Sequence, residues 1–166
     1  MKRWLVAGTM GLATICALMT SCASGNTAAV SGNDEQAVRE ASAKFYSALN
    51  VMFKGDAGQM KDVWSHAADV MYMGPGGGLM QGWPAVLAVW EAHAAMKLGG
   101  DVQPVDLHVT VGQDLATTHS WERGQNVGAD GKVEVVSIRA TNVFRKEGGS
   151  WKMIGHHTDL LPFLVK

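Results

Sequence analysis

The last part of the chain carries the clearest alternation of apolar and polar residues. Between residues 133 and 159, two alternating stretches flank Lys146-Glu147-Gly148-Gly149, which indicates two antiparallel strands joined by a hairpin loop. A loop of these four residues places Asn142 opposite Met153 and puts His157 on the same apolar face. A polar group buried without a partner costs roughly 1–3 kcal/mol, so we expect Asn142 and His157 to need a partner or a ligand.

Helical periodicity precedes these strands. After Asn33, apolar residues recur at helical spacing and predict an amphipathic helix that ends near Gly55. A short second helix, a strand over residues 69–73, a glycine-rich turn over 74–78 and a third helix beginning at Pro84 follow. The rest of the chain reads as strands. This order predicts an α+β fold in which about three helices pack on the concave face of a curved antiparallel sheet.

Alternation between residues 105 and 123 assigns side chains to the two faces of the sheet. A two-residue turn at Gln113-Asp114 puts Ser120 and Glu122 on the inner face. If the next loop sets Glu122 opposite Glu134, two carboxylates would share that face. The outer face takes a mixture of polar and apolar side chains: Asp106, His108, Thr110, Thr117, His119 and Trp121. We interpret this outer face as a subunit interface and predict a homodimer.

His108 and His119 would be cross-strand neighbours about 5 Å apart, close enough to share an ion. No pair of histidines at metal-binding spacing lies on a predicted helix, so we expect no metal. The chain also lacks a nucleotide-binding fingerprint, and we expect no cofactor.

The first residues have the pattern of an export signal. Lys2 and Arg3 precede an uncharged apolar run, so residues 1–21 are predicted to be a signal peptide. Met19-Thr20-Ser21-Cys22 resembles the lipobox of bacterial lipoproteins, which implies lipidation at Cys22. Ala23 after that cysteine favours the periplasmic side of the outer membrane by the same resemblance. Ordinary cleavage near Ala23, giving a secreted or soluble periplasmic protein, remains the alternative.

Charge narrows the range of partners. Removal of residues 1–21 would leave twelve basic and fifteen acidic residues, a formal charge of about −3. A chain with this balance and no basic patch is not expected to bind nucleic acid. Residues 22–32 have the composition of a flexible tether, and residues 33–166 are long enough for one domain.

Several short motifs resemble the SnoaL-like domains of the nuclear transport factor 2-like superfamily, which also includes the association domain of calcium/calmodulin-dependent kinase. They span nearly all of residues 34–162: Met73-Gly74-Pro75-x-Gly77-Gly78, Gly82-Trp83, Asp114-Leu115-Ala116, Arg139-x-Thr141-x-Val143, and Trp151 with His156-His157. The resemblance implies a cone-shaped α+β barrel whose interior binds small molecules. The fold hosts isomerases, dehydratases, cyclases, ligand binders and assembly domains, so the resemblance fixes no single function.

The resemblance also suggests which residues line the interior. Glu122 and Asn142 match the pocket arginines of the kinase association domain, and this difference in charge favours a neutral or cationic ligand over an anion. Ser120 and Tyr72 are further candidates for ligand binding. We expect a small, largely apolar molecule to bind there. The alternatives are an isomerase, dehydratase or cyclase with Glu122 or His157 as catalytic base, and an envelope assembly domain acting through the outer face.

Overall fold

The computed structural model describes residues 32–128 and 130–159. The predicted signal peptide, Cys22 and almost all of the predicted tether lie outside these residues. The described residues form three helices and six strands: α1 Gly32–Met52, α2 Met60–Val63, β1 Met71–Met73, β2 Met80–Gln81, α3 Trp83–Met96, β3 Asp101–Val111, β4 Leu115–Val127, β5 Val133–Glu147 and β6 Ser150–Asp159. No helix among them is long and apolar enough to cross a membrane.

The six strands form one sheet in the order β2-β1-β6-β5-β4-β3. Strand β1 runs parallel to β6, and the other neighbours are antiparallel. The predicted α+β fold, with helices on one face of a curved sheet, is therefore confirmed. The sheet is open, with β2 and β3 at its edges, so the cone is completed by helices and not by closure of a barrel.

The core lies between the helices and the inner face of the sheet. The α1 residues at helical spacing, among them Val38 and Phe45, are fully buried. Trp64 and Trp90 pack beside them, and Phe144 and Met153 close the core from the sheet side. Burying side chains of this size contributes roughly 1.5–3 kcal/mol each, so packing on α1 holds the helical layer against the sheet.

The hairpin between β3 and β4 has the predicted turn. His108 pairs with His119, and the turn consists of Gln113 and Asp114. The predicted pairing of Glu122 with Glu134 is wrong, because β4 and β5 continue pairing as far as Val127 and Val133. Glu122 consequently lies opposite Ile138, and Glu134 is exposed near the tip of the hairpin.

The hairpin between β5 and β6 differs from the prediction in a way that changes the site. Its turn contains only Gly148 and Gly149, and the register shifts again near Ile154, which has no partner on β5. A β-bulge of one residue moves every later side chain to the opposite face. His156 therefore faces the core and His157 the outside, so the prediction that His157 faces inward is wrong.

Candidate functional site

Four polar side chains meet inside the cone, each supplied by a different element. Tyr46 comes from α1, Glu122 from β4, Asn142 from β5 and His156 from β6. None of them is more than 4% exposed. Polar groups are rarely buried this deeply without partners, so their mutual contacts determine what the site can do.

A chain of hydrogen bonds joins the four side chains. The hydroxyl of Tyr46 donates to Oε1 of Glu122 over 3.1 Å and lies 3.4 Å from Oγ of Ser120. Nδ2 of Asn142 donates to the Tyr46 oxygen over 3.5 Å. The Asn142 amide oxygen is thereby left to accept a hydrogen bond, and Nδ1 of His156 lies 2.6 Å from it.

This chain assigns the tautomer of His156. Asn142 Oδ1 can only accept, so the proton of a neutral imidazole resides on Nδ1. The lone pair on Nε2 is then free, and it faces Oε1 of Glu122 at 3.9 Å. The site consequently presents a free imidazole nitrogen beside a carboxyl group.

Aromatic rings enclose His156. The Tyr72 ring stacks on the imidazole at 15° with centroids 5.7 Å apart, while Phe45 and Trp90 lie at 4.9 and 6.1 Å. Such rings exclude water and lower the local dielectric, which disfavours charge on the groups that they surround.

Burial determines the protonation of both groups. Desolvation raises the pKa of Glu122 to about 7, and the hydrogen bond from Tyr46 opposes this rise. Desolvation, together with repulsion from His157, lowers the pKa of His156 to about 3. Near neutral pH the imidazole is therefore uncharged, and the carboxyl group exists in both its protonated and its ionised form.

A pair of this kind can move protons in both directions. Neutral His156 can accept a proton at Nε2, and protonated Glu122 can donate one from a position within 4 Å. General acid–base catalysis requires groups with pKa values near the working pH, which Glu122 fulfils. Titratable groups whose pKa values are driven apart by burial are a common mark of active sites.

The predicted site residues fall into two groups. Glu122, Asn142, Ser120 and Tyr72 lie together around the interior, whereas His157 is on the outer face. Tyr46 and His156 were missed by the sequence analysis. In the described residues, no group of three or more histidine, cysteine, aspartate or glutamate side chains is arranged to hold a metal ion.

A concave region lies on the outer face of the sheet. It has a volume of about 590 Å³, and its lining includes His108, His119, Trp121, Arg139 and His157. Trp121 is 38% exposed there. This region is separated from the interior by the thickness of the sheet.

Comparison with known proteins identifies the family. A family model described as SnoaL-like domain matches residues 38–160, and the chain belongs to this family. No match to a curated protein sequence was found.

Solved structures show the same fold. A candidate dehydratase of the nuclear transport factor 2-like family from Streptomyces avermitilis is 26% identical, with a TM-score of 0.70 over 78% of this chain and 97% of its own. A candidate calcium/calmodulin-dependent protein kinase type II association domain from Thiobacillus denitrificans is 25% identical, with a TM-score of 0.63 over 74% of this chain and 94% of its own. A candidate aromatic ring hydroxylase from Novosphingobium aromaticivorans, at 19% identity, has a TM-score of 0.66 over 80% of this chain and 92% of its own, and shows the fold alone.

Proposed function

We propose that the domain binds a small, largely apolar carbonyl compound in its interior and transfers protons with His156 and Glu122, as an isomerase or dehydratase does. The observation that carries this proposal is the 3.9 Å approach of His156 Nε2 to a Glu122 carboxyl whose pKa is about 7. A domain that needed only to hold an apolar ligand would gain nothing from burying these two groups.

The two residues take complementary roles in this proposal. His156 Nε2 accepts a proton from the carbon next to the substrate carbonyl while Glu122 gives up its own, so the imidazolium forms 3.9 Å from a carboxylate whose negative charge raises the pKa of His156 in that step. Protonated Glu122 donates a hydrogen bond or its proton to the carbonyl oxygen, which becomes negative as the enolate forms. Tyr46 holds the Glu122 carboxyl in place, and Asn142 keeps the His156 proton on Nδ1.

The dehydratase name of the Streptomyces avermitilis structure is compatible with this chemistry. Removal of water beside a carbonyl group also starts with the loss of a proton from the adjacent carbon. Isomerisation of a double bond uses the same first step, so the proposal covers both reactions.

Hydrogen–deuterium exchange tests the proposal without knowledge of the natural substrate. A small ketone such as 4-methylcyclohexanone is incubated with the protein in deuterium oxide, and loss of the α-proton signal is followed by NMR. We expect exchange faster than in buffer with heat-inactivated protein. If the ketone binds but exchange stays at the buffer rate, the interior is a binding site without catalysis, which is the function first expected from the sequence.

The outer face favours a second role in assembly. Trp121 is 38% exposed, and Val133 and Val135 further along the same hairpin are 53% and 82% exposed. Apolar side chains exposed together on one sheet face commonly mark an interface. We therefore propose that two copies of the chain associate through this face.

Trp121→Glu is expected to give a monomer, because it removes a large apolar side chain from the interface and a charge in its place is costly to bury. Light scattering over a range of protein concentrations measures the change. Leu79→Glu is a matched control, since Leu79 is 55% exposed but directly precedes β2, at the edge of the sheet opposite β3 and β4. A wild type that is monomeric at high concentration would contradict the proposed dimer.

We also propose that the protein is a lipoprotein of the bacterial cell envelope. Mass spectrometry of the mature chain is expected to find a diacyl or triacyl modification on Cys22, because small residues precede this cysteine. Cys22→Ser should remove the modification and release the protein from the membrane fraction. A mature chain that begins unmodified at or beyond Ser24 would contradict lipidation and favour a secreted or soluble periplasmic protein.

A further inference from the structure

Six buried side-chain nitrogen and oxygen atoms of the described residues have no hydrogen-bond partner, and three of them are tryptophan indole nitrogens. The other three are hydroxyl groups of the interior. They are Oγ of Ser42, Oγ1 of Thr118 and Oγ1 of Thr158. Ser42 and Thr118 are fully buried, and Thr158 is 3% exposed. Buried hydroxyls nearly always have a partner, so three in one interior require an explanation.

The sheet register places these hydroxyls around the acid–base pair. Thr118 lies directly opposite Asn142, which in turn pairs with His156, so the three occupy one row across the inner face. Thr158 follows His156 by two residues on β6 and faces the same side. Ser42 lies one helical turn before Tyr46 on the buried face of α1.

The cost of these groups argues against a structural role. Valine has nearly the shape of threonine and would fill the same space without leaving a hydroxyl unpaired. Proteins commonly sacrifice stability in this way where a ligand is bound. The same hydroxyls can each donate one hydrogen bond and accept others from a bound oxygen atom.

We propose that Thr118 and Thr158, assisted by Ser42, form a subsite for a second oxygen function of the substrate. The substrate class is then a hydroxylated carbonyl compound on an apolar ring or chain, with the carbonyl at His156 and Glu122 and the hydroxyl at the threonines. This inference rests on the proposed function for the position of the carbonyl group, and the two can be tested separately.

A pair of matched ligands and a pair of matched residues provide the test. The ligands are 4-hydroxycyclohexanone and 4-methylcyclohexanone, which differ only in a hydroxyl or a methyl group. The proteins are the wild type and the double variant Thr118→Val/Thr158→Val. Calorimetry measures the affinity of each protein for each ligand. The hydroxyketone-to-methyl-ketone affinity ratio of the wild type, divided by the same ratio of the double variant, isolates the contact between the ligand hydroxyl and the threonines.

We expect the wild type to bind the hydroxyketone about tenfold more tightly than the methyl ketone, the scale of one hydrogen bond to a bound ligand. The double variant should lose this preference, and its affinity for the methyl ketone should be unchanged or higher. Its melting temperature should equal or exceed that of the wild type, because no hydrogen bond within the protein is lost. Single variants then assign the contact to Thr118 or Thr158.

Three results would overturn the inference. The first is a wild type that does not prefer the hydroxyketone, or that binds neither ketone. The second is a preference that survives in the double variant, and the third is a clear fall in the melting temperature of the double variant. The last result would mean that the hydroxyls serve packing or bound water. Deuterium exchange is read independently. A protein that distinguishes the two ketones but does not accelerate exchange keeps the subsite and loses the proposed catalysis.

Discussion

Glu122→Gln is expected to reduce the rate of ketone α-proton exchange by at least about 100-fold, the lower end of what a positioned acid or base contributes. Glutamine has nearly the same shape, and its amide oxygen can still accept the hydrogen bond from Tyr46. What it cannot do is give up a proton to the carbonyl oxygen. Ligand affinity should change much less than the rate, because the side chain still fills its place.

Ser120→Ala is a suitable control for this variant. Ser120 lies on the same strand and face, 3.4 Å from the Tyr46 oxygen, but it does not contact the acid–base pair in the proposed chemistry. Exchange in this control should stay within a few-fold of the wild type. If Glu122→Gln exchanges protons as fast as the wild type, Glu122 has no catalytic role and the proposed function fails.

The pKa values of Glu122 and His156 also make the stability of the fold depend on pH. Glu122 has its pKa raised from 4.5 to about 7 in the fold, so its contribution to stability is complete below 4.5 and is lost as the pH rises to 7. His156 has its pKa lowered from 6.5 to about 3, so its contribution is present above 6.5 and is lost as the pH falls to 3. Between about 4.5 and 6.5 the two effects oppose each other.

We therefore expect Glu122→Gln to change the dependence of stability on pH. In the wild type, the contributions of these two groups to the free energy of unfolding should nearly cancel as the pH falls from 6.5 to 4.5. In Glu122→Gln only the His156 effect remains, and stability should fall by up to about 1.4 kcal/mol per pH unit over that range. Urea unfolding at several pH values measures both curves. Parallel curves for the two proteins would contradict the raised pKa of Glu122.

Two of the four interior polar residues could be predicted from the sequence. Alternation along β4 and β5 places Glu122 and Asn142 on the inner face, because these two strands pair without a register shift and so keep the period of two intact. Tyr46 was overlooked because an aromatic residue beside Phe45 on an amphipathic helix is usually part of the core. Its hydroxyl acquires a role only through residues 74 or more positions away in the chain.

His156 was missed for a different reason. The prediction followed a strict alternation through β6, and the bulge near Ile154 breaks that alternation. A local signal was present in Gly155, since a glycine inside a strand often marks a bulge. The register of the bulge depends on how β5 and β6 pack together, and alternation within β6 alone does not contain that information.

Asn142→Leu is expected to lower both activity and stability. Leucine has a similar volume but offers no acceptor to Nδ1 of His156, which lies 2.6 Å from the Asn142 oxygen. A buried polar atom without a partner costs about 1–3 kcal/mol, and unfolding experiments should show a loss of this size from the unpaired Nδ1. Without the Asn142 acceptor, the imidazole moves its proton to Nε2. That tautomer removes the lone pair that faces Glu122, so exchange should fall by about 100-fold or more.

Asn142→Asp separates the two roles of this residue. Aspartate keeps an acceptor for Nδ1 and therefore the reactive tautomer, while its negative charge raises the pKa of His156 above the wild-type value of about 3. We expect exchange to persist in this variant, with the acid side of its pH–rate profile moved to higher pH. Nitrogen-15 NMR of the imidazole reads the tautomer directly and should find Nε2 unprotonated in the wild type and in Asn142→Asp, but protonated in Asn142→Leu. An Asn142→Leu variant that keeps Nε2 unprotonated and retains wild-type exchange would show that Asn142 does not position the base.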